Sequence, residues 1–245
     1  MDIFFKIHQD LPREGPGDSQ STHKAIALML DLPAKPRILD IGCGPGTQTL
    51  DLAVIPGAKI TAVDTHQPFL DQLQKRVVAH GLGKRIETVN QSMFELQFSE
   101  KSFDVLWSEG AIYIIGFENG LKIWRPLLKS GGYIGVTEIS WLKPNPPEEI
   151  YSFWKNDYPD MHDVYENLKI MQAANYRVLG HFVLPTESWW DDYYTPILAR
   201  LPALREEYRD DPQATAVFDA SQKEMELYSK YSDYYGYVFY VGQVL

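Results

Sequence analysis

The chain has 245 residues, a formal net charge of −10, 44% hydrophobic residues and a single cysteine, Cys43. That length allows one large domain or a domain with a substantial insertion, and the hydrophobic share is enough for a sizeable core. The acidic balance, with Lys and Arg scattered rather than clustered, speaks against nucleic acid, and one cysteine excludes an intrachain disulfide.

The chain starts with turn chemistry in Leu11-Pro12-Arg13-Glu14-Gly15-Pro16-Gly17, which no helix interior tolerates. Asp18 or Ser19 can cap a following helix with Ala25, Ile26, Met29 and Leu30 on one face. Strands are then predicted at 37–41, 59–64, 85–90, 103–108 and 133–139, with helices at 47–54, 68–80 and 118–128 between them. Beyond Trp141 three prolines mark a break, followed by helices at 148–157 and 163–174 and a strand at 176–184. Two further helical stretches, 187–207 and 212–232, follow, the first kinked or split by Pro196 and Pro202. The chain ends on the aromatic, β-branched run 236–242, a strand pattern.

Strand–helix alternation of this kind implies an α/β fold, a Rossmann-like doubly wound sheet, mostly parallel, with helices on both faces. No apolar run approaches about 20 residues and no signal-peptide pattern opens the chain, so a cytoplasmic protein with no membrane partner is expected. The histidines His8, His23, His66, His80, His162 and His181 include no i,i+4 pair, so no metal site is expected.

The most informative segment is Ile38-Leu39-Asp40-Ile41-Gly42-Cys43-Gly44-Pro45-Gly46, a buried strand turning into a glycine loop. A dinucleotide fingerprint needs G-x-G-x-x-G, and here Thr47 stands where its last glycine should be. D-x-G-x-G-x-G instead resembles motif I of the class I S-adenosylmethionine (SAM)-dependent methyltransferases. The stretch Trp124 to Tyr133, with Lys129-Ser130-Gly131-Gly132 for the family's L-K-P-G-G turn, resembles them too. The nearest likeness is to small-molecule enzymes of the ubiquinone/menaquinone type and to uncharacterised microbial methyltransferases.

The resemblance implies SAM as cofactor and a seven-stranded sheet closed by an antiparallel C-terminal strand. It divides a single domain into an N-terminal lid and helix (1–36), a SAM-binding core (37–140) and C-terminal substrate-wall helices with the last strands (141–245). Asp64, ending the second strand, matches the acid that accepts from the ribose hydroxyls. The alternative is an ordinary strand-end aspartate that caps the next helix, whose approach carries Thr65. Asp40 would reach the amino-acid end of SAM or hold the loop in shape, with Gly42, Cys43, Gly44 and Gly46 beneath the cofactor. In Gln91 to Phe98, Ser92 takes the place of the family's adenine-binding aspartate and Met93 can pack on the ring.

After the fourth strand, Ser108, Glu109 and Tyr113 should border the methyl group. Glu109 is the candidate catalytic base and Tyr113 the aromatic face over the sulfonium, against plain roles as turn cap and core. Arg13, on a lid, is placed to meet the SAM carboxylate. Trp154, Tyr158, Tyr165, Trp189, Trp190, Tyr193 and Tyr194 suit a wall for a small, apolar or aromatic acceptor, or a core or homodimer contact. The expected activity is methyl transfer to an O, N or C nucleophile. A non-catalytic SAM-binding module and an NAD-dependent reductase are the alternatives.

Overall fold

The computed structural model describes residues 3–245; Met1 and Asp2, the start of the expected N-terminal lid, lie outside the described residues. The helices α1 (Ile3–His8) and α2 (Ser19–Ile26) precede β1 (Arg37–Ile41), α3 (Thr47–Leu52), β2 (Lys59–Asp64), α4 (Gln67–Ala79) and β3 (Ile86–Asn90). Next come β4 (Phe103–Ser108), α5 (Phe117–Trp124), β5 (Leu128–Trp141), α6 (Glu148–Asp157), α7 (Val164–Ala173) and β6 (Tyr176–Val183). The chain closes with α8 (Glu187–Trp189), a π-helical turn at Trp190–Tyr194, α9 (Thr195–Glu207), α10 (Pro212–Tyr231) and β7 (Tyr235–Val244).

The strands form one seven-stranded sheet in the order β3-β2-β1-β4-β5-β7-β6. β7 runs antiparallel to both β5 and β6, while the pairs from β3 to β5 are parallel. This is the Rossmann-like doubly wound sheet expected from the sequence, with its last strand antiparallel. Successive side chains of a strand point to opposite faces, and the core divides accordingly. Ile38, Ile60, Ala62, Val105 and Trp107 pack with Leu52, Leu70, Leu73 and Val77 of α3 and α4 on one face. Leu39, Ile41, Val63, Leu106 and Val136 pack with Leu121 and Trp124 of α5 and Met171 of α7 on the other. A third cluster joins Ile7 of α1 to α6, α9 and α10.

Three local expectations differ from the structure. α2 stops at Ile26 and the chain turns, so Met29 is buried while Leu30 is 84% exposed rather than on the apolar face. The predicted helix over 118–128 ends at Trp124 in a 3₁₀ turn over Arg125–Leu127, because Pro126 cannot continue an α-helix, and β5 starts at Leu128 instead of Tyr133. Pro196 lies in the first turn of α9, where a missing N–H is tolerated, and the π turn before it absorbs the irregularity.

Gly46 shows how tightly the loop after β1 is set. Its φ is 84°, and a Cβ there would overlap the side chain of Leu73 on α4. Gly46→Ala is expected to cost about 2–3 kcal/mol, from the left-handed backbone and the overlap together. Chemical denaturation checks this, and an unchanged midpoint would refute it.

Candidate active site

The β1 strand delivers the glycine loop to the carboxyl edge of the sheet. Its backbone is left-handed at Gly42 (φ 72°) and Gly44 (φ 52°), and a Cβ on Gly42 would overlap Ala111. The Gly42 and Cys43 amides donate to the Val63 carbonyl at 2.8 and 3.0 Å, tying the loop to the end of β2. From that end, Asp64 accepts from the Gly44 amide at 2.9 Å and from the His66 amide at 2.8 Å. Asp64 is therefore the loop's clasp in this structure, with carboxylate lone pairs left to face the space beside it.

That space is a cavity of about 270 Å³ at the carboxyl ends of β1, β2, β3 and β4. Gly42, Cys43, Gly44, Asp64, Thr65, Ser92, Met93, Glu109, Tyr113 and Arg13 all line it, so the fold gathers ten of the thirteen residues singled out by the sequence. The carboxyl edge of an open α/β sheet is where such folds place ligands.

The other three lie elsewhere. Asp40 is fully buried, its carboxylate accepting from the Thr49 hydroxyl at 2.6 Å, with the other oxygen unpartnered. Gly46 faces α4. Ser108 is fully buried and donates to the Ile41 carbonyl at 2.9 Å, because the last residue of β4 points into the sheet rather than over it. All three shape the loop from behind.

Burial strips water from Asp40, and the nearby Glu109 and Asp64 carboxylates add to the effect, so its carboxyl is pushed up to about 7. A raised folded-state value means a contribution to stability that is complete below about pH 4 and lost as pH climbs toward 7. The gain from Asp40→Asn is accordingly expected to grow between pH 5 and 7.5, by on the order of 2 kcal/mol. Thermal melts at the two pH values check it, and an equal difference at both would rule it out.

Glu109, expected from the sequence as a catalytic base, lines the cavity with both carboxylate oxygens engaged. One oxygen accepts from Arg13 at 2.9 Å, and the other from Thr22 at 2.7 Å and from the Trp107 indole N–H at 2.9 Å. Arg13 spans Glu109 and Asp51, and its side chain and that of Glu109 are each 4% exposed. A carboxylate with both oxygens engaged is held in place, as is a guanidinium between two carboxylates. The Arg13–Glu109 pair fixes the N-terminal turn as part of the cavity wall.

Several other wall residues belong to no motif legible in the sequence. Phe5 of α1 stacks on His66 with ring centroids 3.8 Å apart, and Phe69 of α4 meets both edge-on. Glu14, from the Gly/Pro turn, lines the cavity with both carboxyl oxygens buried and unpartnered. Burial and the facing Asp64 push its carboxyl up to about 8. Of the aromatic residues expected to form a substrate wall or a core, Trp154, Trp189 and Tyr194 are core, and Tyr165 is 65% exposed.

No helix of the described residues is long and apolar enough to cross a membrane. No group of three or more His, Cys, Asp or Glu among the described residues is arranged to hold a metal.

Residues 38–132 match the family model for the methyltransferase domain. This stretch is similar to a methyltransferase domain. A malonyl-[acyl-carrier protein] O-methyltransferase of Legionella pneumophila is 28% identical over 138 residues, 52% of this chain and 46% of that protein. The chain spans less than half the length of the first three curated relatives it matches. Among solved structures, a SAM-dependent methyltransferase from Thiobacillus denitrificans in complex with S-adenosylhomocysteine superposes with TM-score 0.85 at 22% identity, covering 100% of this chain and 99% of that one. The [4+2]-cyclase SpnF also shares the fold, with TM-score 0.77 at 18% identity over 99% of this chain and 91% of the other.

The matched stretch thus coincides with β1 to the start of β5, the part that holds the glycine loop and Asp64. Its cavity suits a nucleoside. Gly42 and Gly44 contribute main chain to its lining, Asp64 offers a charged acceptor, and Phe69, Met93 and Ile114 offer apolar faces.

Proposed function

We propose that the chain transfers a methyl group from SAM to a small-molecule acceptor. The observation that carries this reading is Asp64 beside the positive-φ glycine loop, both facing one cavity within the matched stretch. In this reading Asp64 accepts from the ribose hydroxyls, and Gly42, Cys43 and Gly44 lie beneath the cofactor. Ser92 and Met93 border the adenine, flanked by the Phe5–His66–Phe69 stack. Glu14 offers a further polar group to the ligand. Tyr113 borders the sulfonium, and burial raises the titration of its phenol, so it stays a neutral ring with a hydroxyl. Bound SAM supplies an electrophilic methyl group, whose in-line displacement requires alignment and exclusion of water rather than acid chemistry. Arg13, Glu109 and Asp40 act as scaffold: they hold the wall and the loop at the required separation.

The acidic net charge disfavours a nucleic-acid acceptor, which leaves a small molecule in a reducing, cytoplasmic setting. A second reading, a module of this fold that does other chemistry, has support in the likeness to a [4+2]-cyclase, since a fold hosts more than one function. Calorimetric titration with SAM, S-adenosylhomocysteine and NADH tests the cofactor. Micromolar binding of the first two and none of the third is expected. Binding of NADH alone would overturn the reading. Tight SAM binding without turnover on any acceptor would favour the second reading.

A further inference from the structure

The acidic balance of the chain conceals one strongly basic place. β1 to β5 pair in parallel, so all five strands start at the same edge of the sheet, opposite the cavity. Lys35 and Arg37 open β1, Lys59 opens β2, Lys84 and Arg85 lead into β3, and Lys101 precedes β4. Cations scattered along the sequence are thereby brought to one edge. Arg37 and Lys59 are direct partners in the register of β1 with β2. The Ile60 amide donates to the Arg85 carbonyl at 2.8 Å, which sets Arg85 beside Lys59 on its other side. A Cβ on Gly57 would meet Lys35 Cγ at 3.1 Å, so Lys35 lies against the turn that enters β2. Lys59 Nζ donates to the Lys84 carbonyl, which joins these two lysines.

The fold itself gains little from this arrangement. Like charges set side by side on neighbouring strands repel. Asp104 of β4 is the acid next to the row, and it is taken by Lys129 and by the Arg37 amide, each at 2.8 Å. None of the six edge cations forms an ion pair among the described residues. Two have a structural use: Arg85 donates to the Ile55 and Ala58 carbonyls, and Arg37 lies over the Phe103 ring. Lys35, Lys84 and Lys101 are exposed and their side chains hold no acceptor among the described residues. Glu87, the acid of β3, accepts from the Thr61 hydroxyl at 2.7 Å instead.

We infer that this edge is a docking surface for an acidic protein segment. Neighbouring strands lie about 4.8 Å apart, so the edge from β3 to β5 is about 19 Å wide. That is the length of an acidic helix of about 13 residues. A compact acidic segment is favoured over an extended polyanion by the rest of the molecule. The other 17 of the 23 Lys and Arg share the chain with 33 Asp and Glu, so an anion running past the edge meets like charge. Phe103, the ring beneath Arg37, is 1% exposed, and the exposed aromatics Phe94, Tyr113, Tyr151 and Tyr165 lie on other parts of the fold. Single-stranded bases thus have no ring at this edge to stack on. Arg37 is five residues before Gly42, about 16 Å along the strand, so a partner docked here leaves the cavity open. The inference is independent of what the cavity binds.

The test is fluorescence anisotropy on the full chain at about 0.1 M salt. The probes are a labelled Glu-rich helical peptide of about 13 residues, the same peptide with Gln for each Glu, and a single-stranded RNA of equal charge. Co-sedimentation with phosphatidylserine–phosphatidylcholine vesicles is the fourth arm. The Glu peptide is expected to bind about tenfold or more tighter than its Gln counterpart. Lys35→Glu with Lys84→Glu should abolish that preference at an unchanged melting temperature. Lys101→Glu alone should weaken Glu-peptide binding about threefold, which keeps the test open if the double variant misfolds. Equal binding of the two peptides, or a preference unmoved by the variants, would overturn the inference. So would stronger retention by the RNA or the vesicles than by the Glu peptide.

Discussion

Replacing Glu109 by alanine is expected to destabilise the fold by about 3–5 kcal/mol, the range for removing one partner of a buried ion pair. The mechanism is the guanidinium left behind. Arg13 is 4% exposed and would retain only Asp51 at 3.2 Å, while Thr22 and the Trp107 indole lose their acceptor. Glu109→Gln should cost less, because an amide oxygen still accepts one of the three hydrogen bonds. Arg13→Met with Glu109→Leu should recover much of the loss, since an apolar pair needs no solvation. Urea denaturation of the four proteins decides it. The alternative, Glu109 as catalytic base, predicts the opposite pattern: Glu109→Gln would abolish the alkaline or acid limb of the turnover profile at unchanged stability. An anchor predicts a pH profile like the parent's.

Asp64→Ala is expected to weaken S-adenosylhomocysteine binding by about 2–3 kcal/mol, on the order of 100-fold, as a charged hydrogen-bond acceptor is removed. Part of the effect is indirect. Asp64 also holds the Gly44 and His66 amides, so its loss loosens the glycine loop before any ligand arrives. Asp64→Asn separates the contributions. It keeps an acceptor for one amide but removes the charge, and an intermediate loss is expected. Calorimetry on the parent and both variants measures this, and affinity unchanged in Asp64→Ala would remove Asp64 from the binding site.

Much of the frame was legible in the sequence because short-range rules set it. Apolar runs between glycine turns placed β1, β2 and β4 at the observed residues, and Glu148 to Asp157 formed the predicted helix. Asp18 caps α2 by accepting from the Ser21 amide, as its position in the sequence suggested. The spacing of glycines told a D-x-G-x-G-x-G loop from a dinucleotide one. The misplaced boundaries fall where local signals compete. Leu30 fits the helical period but lies past the turn, and Pro126 ends α5 early.

What the sequence by itself determined is the order of elements, the glycine loop and the acid after the second strand. Each is encoded within a few neighbouring residues by backbone freedom and hydrophobic period. What only the tertiary structure decided is which side chains face one another. Arg13 and Glu109 are separated by 96 positions yet form an ion pair, which ties the candidate base to the N-terminal turn. Phe5 and His66, 61 positions apart, became a stacked wall. A charge's role depends on its partners and on how much water is left to it. Those are set by packing between distant segments, which no local pattern records.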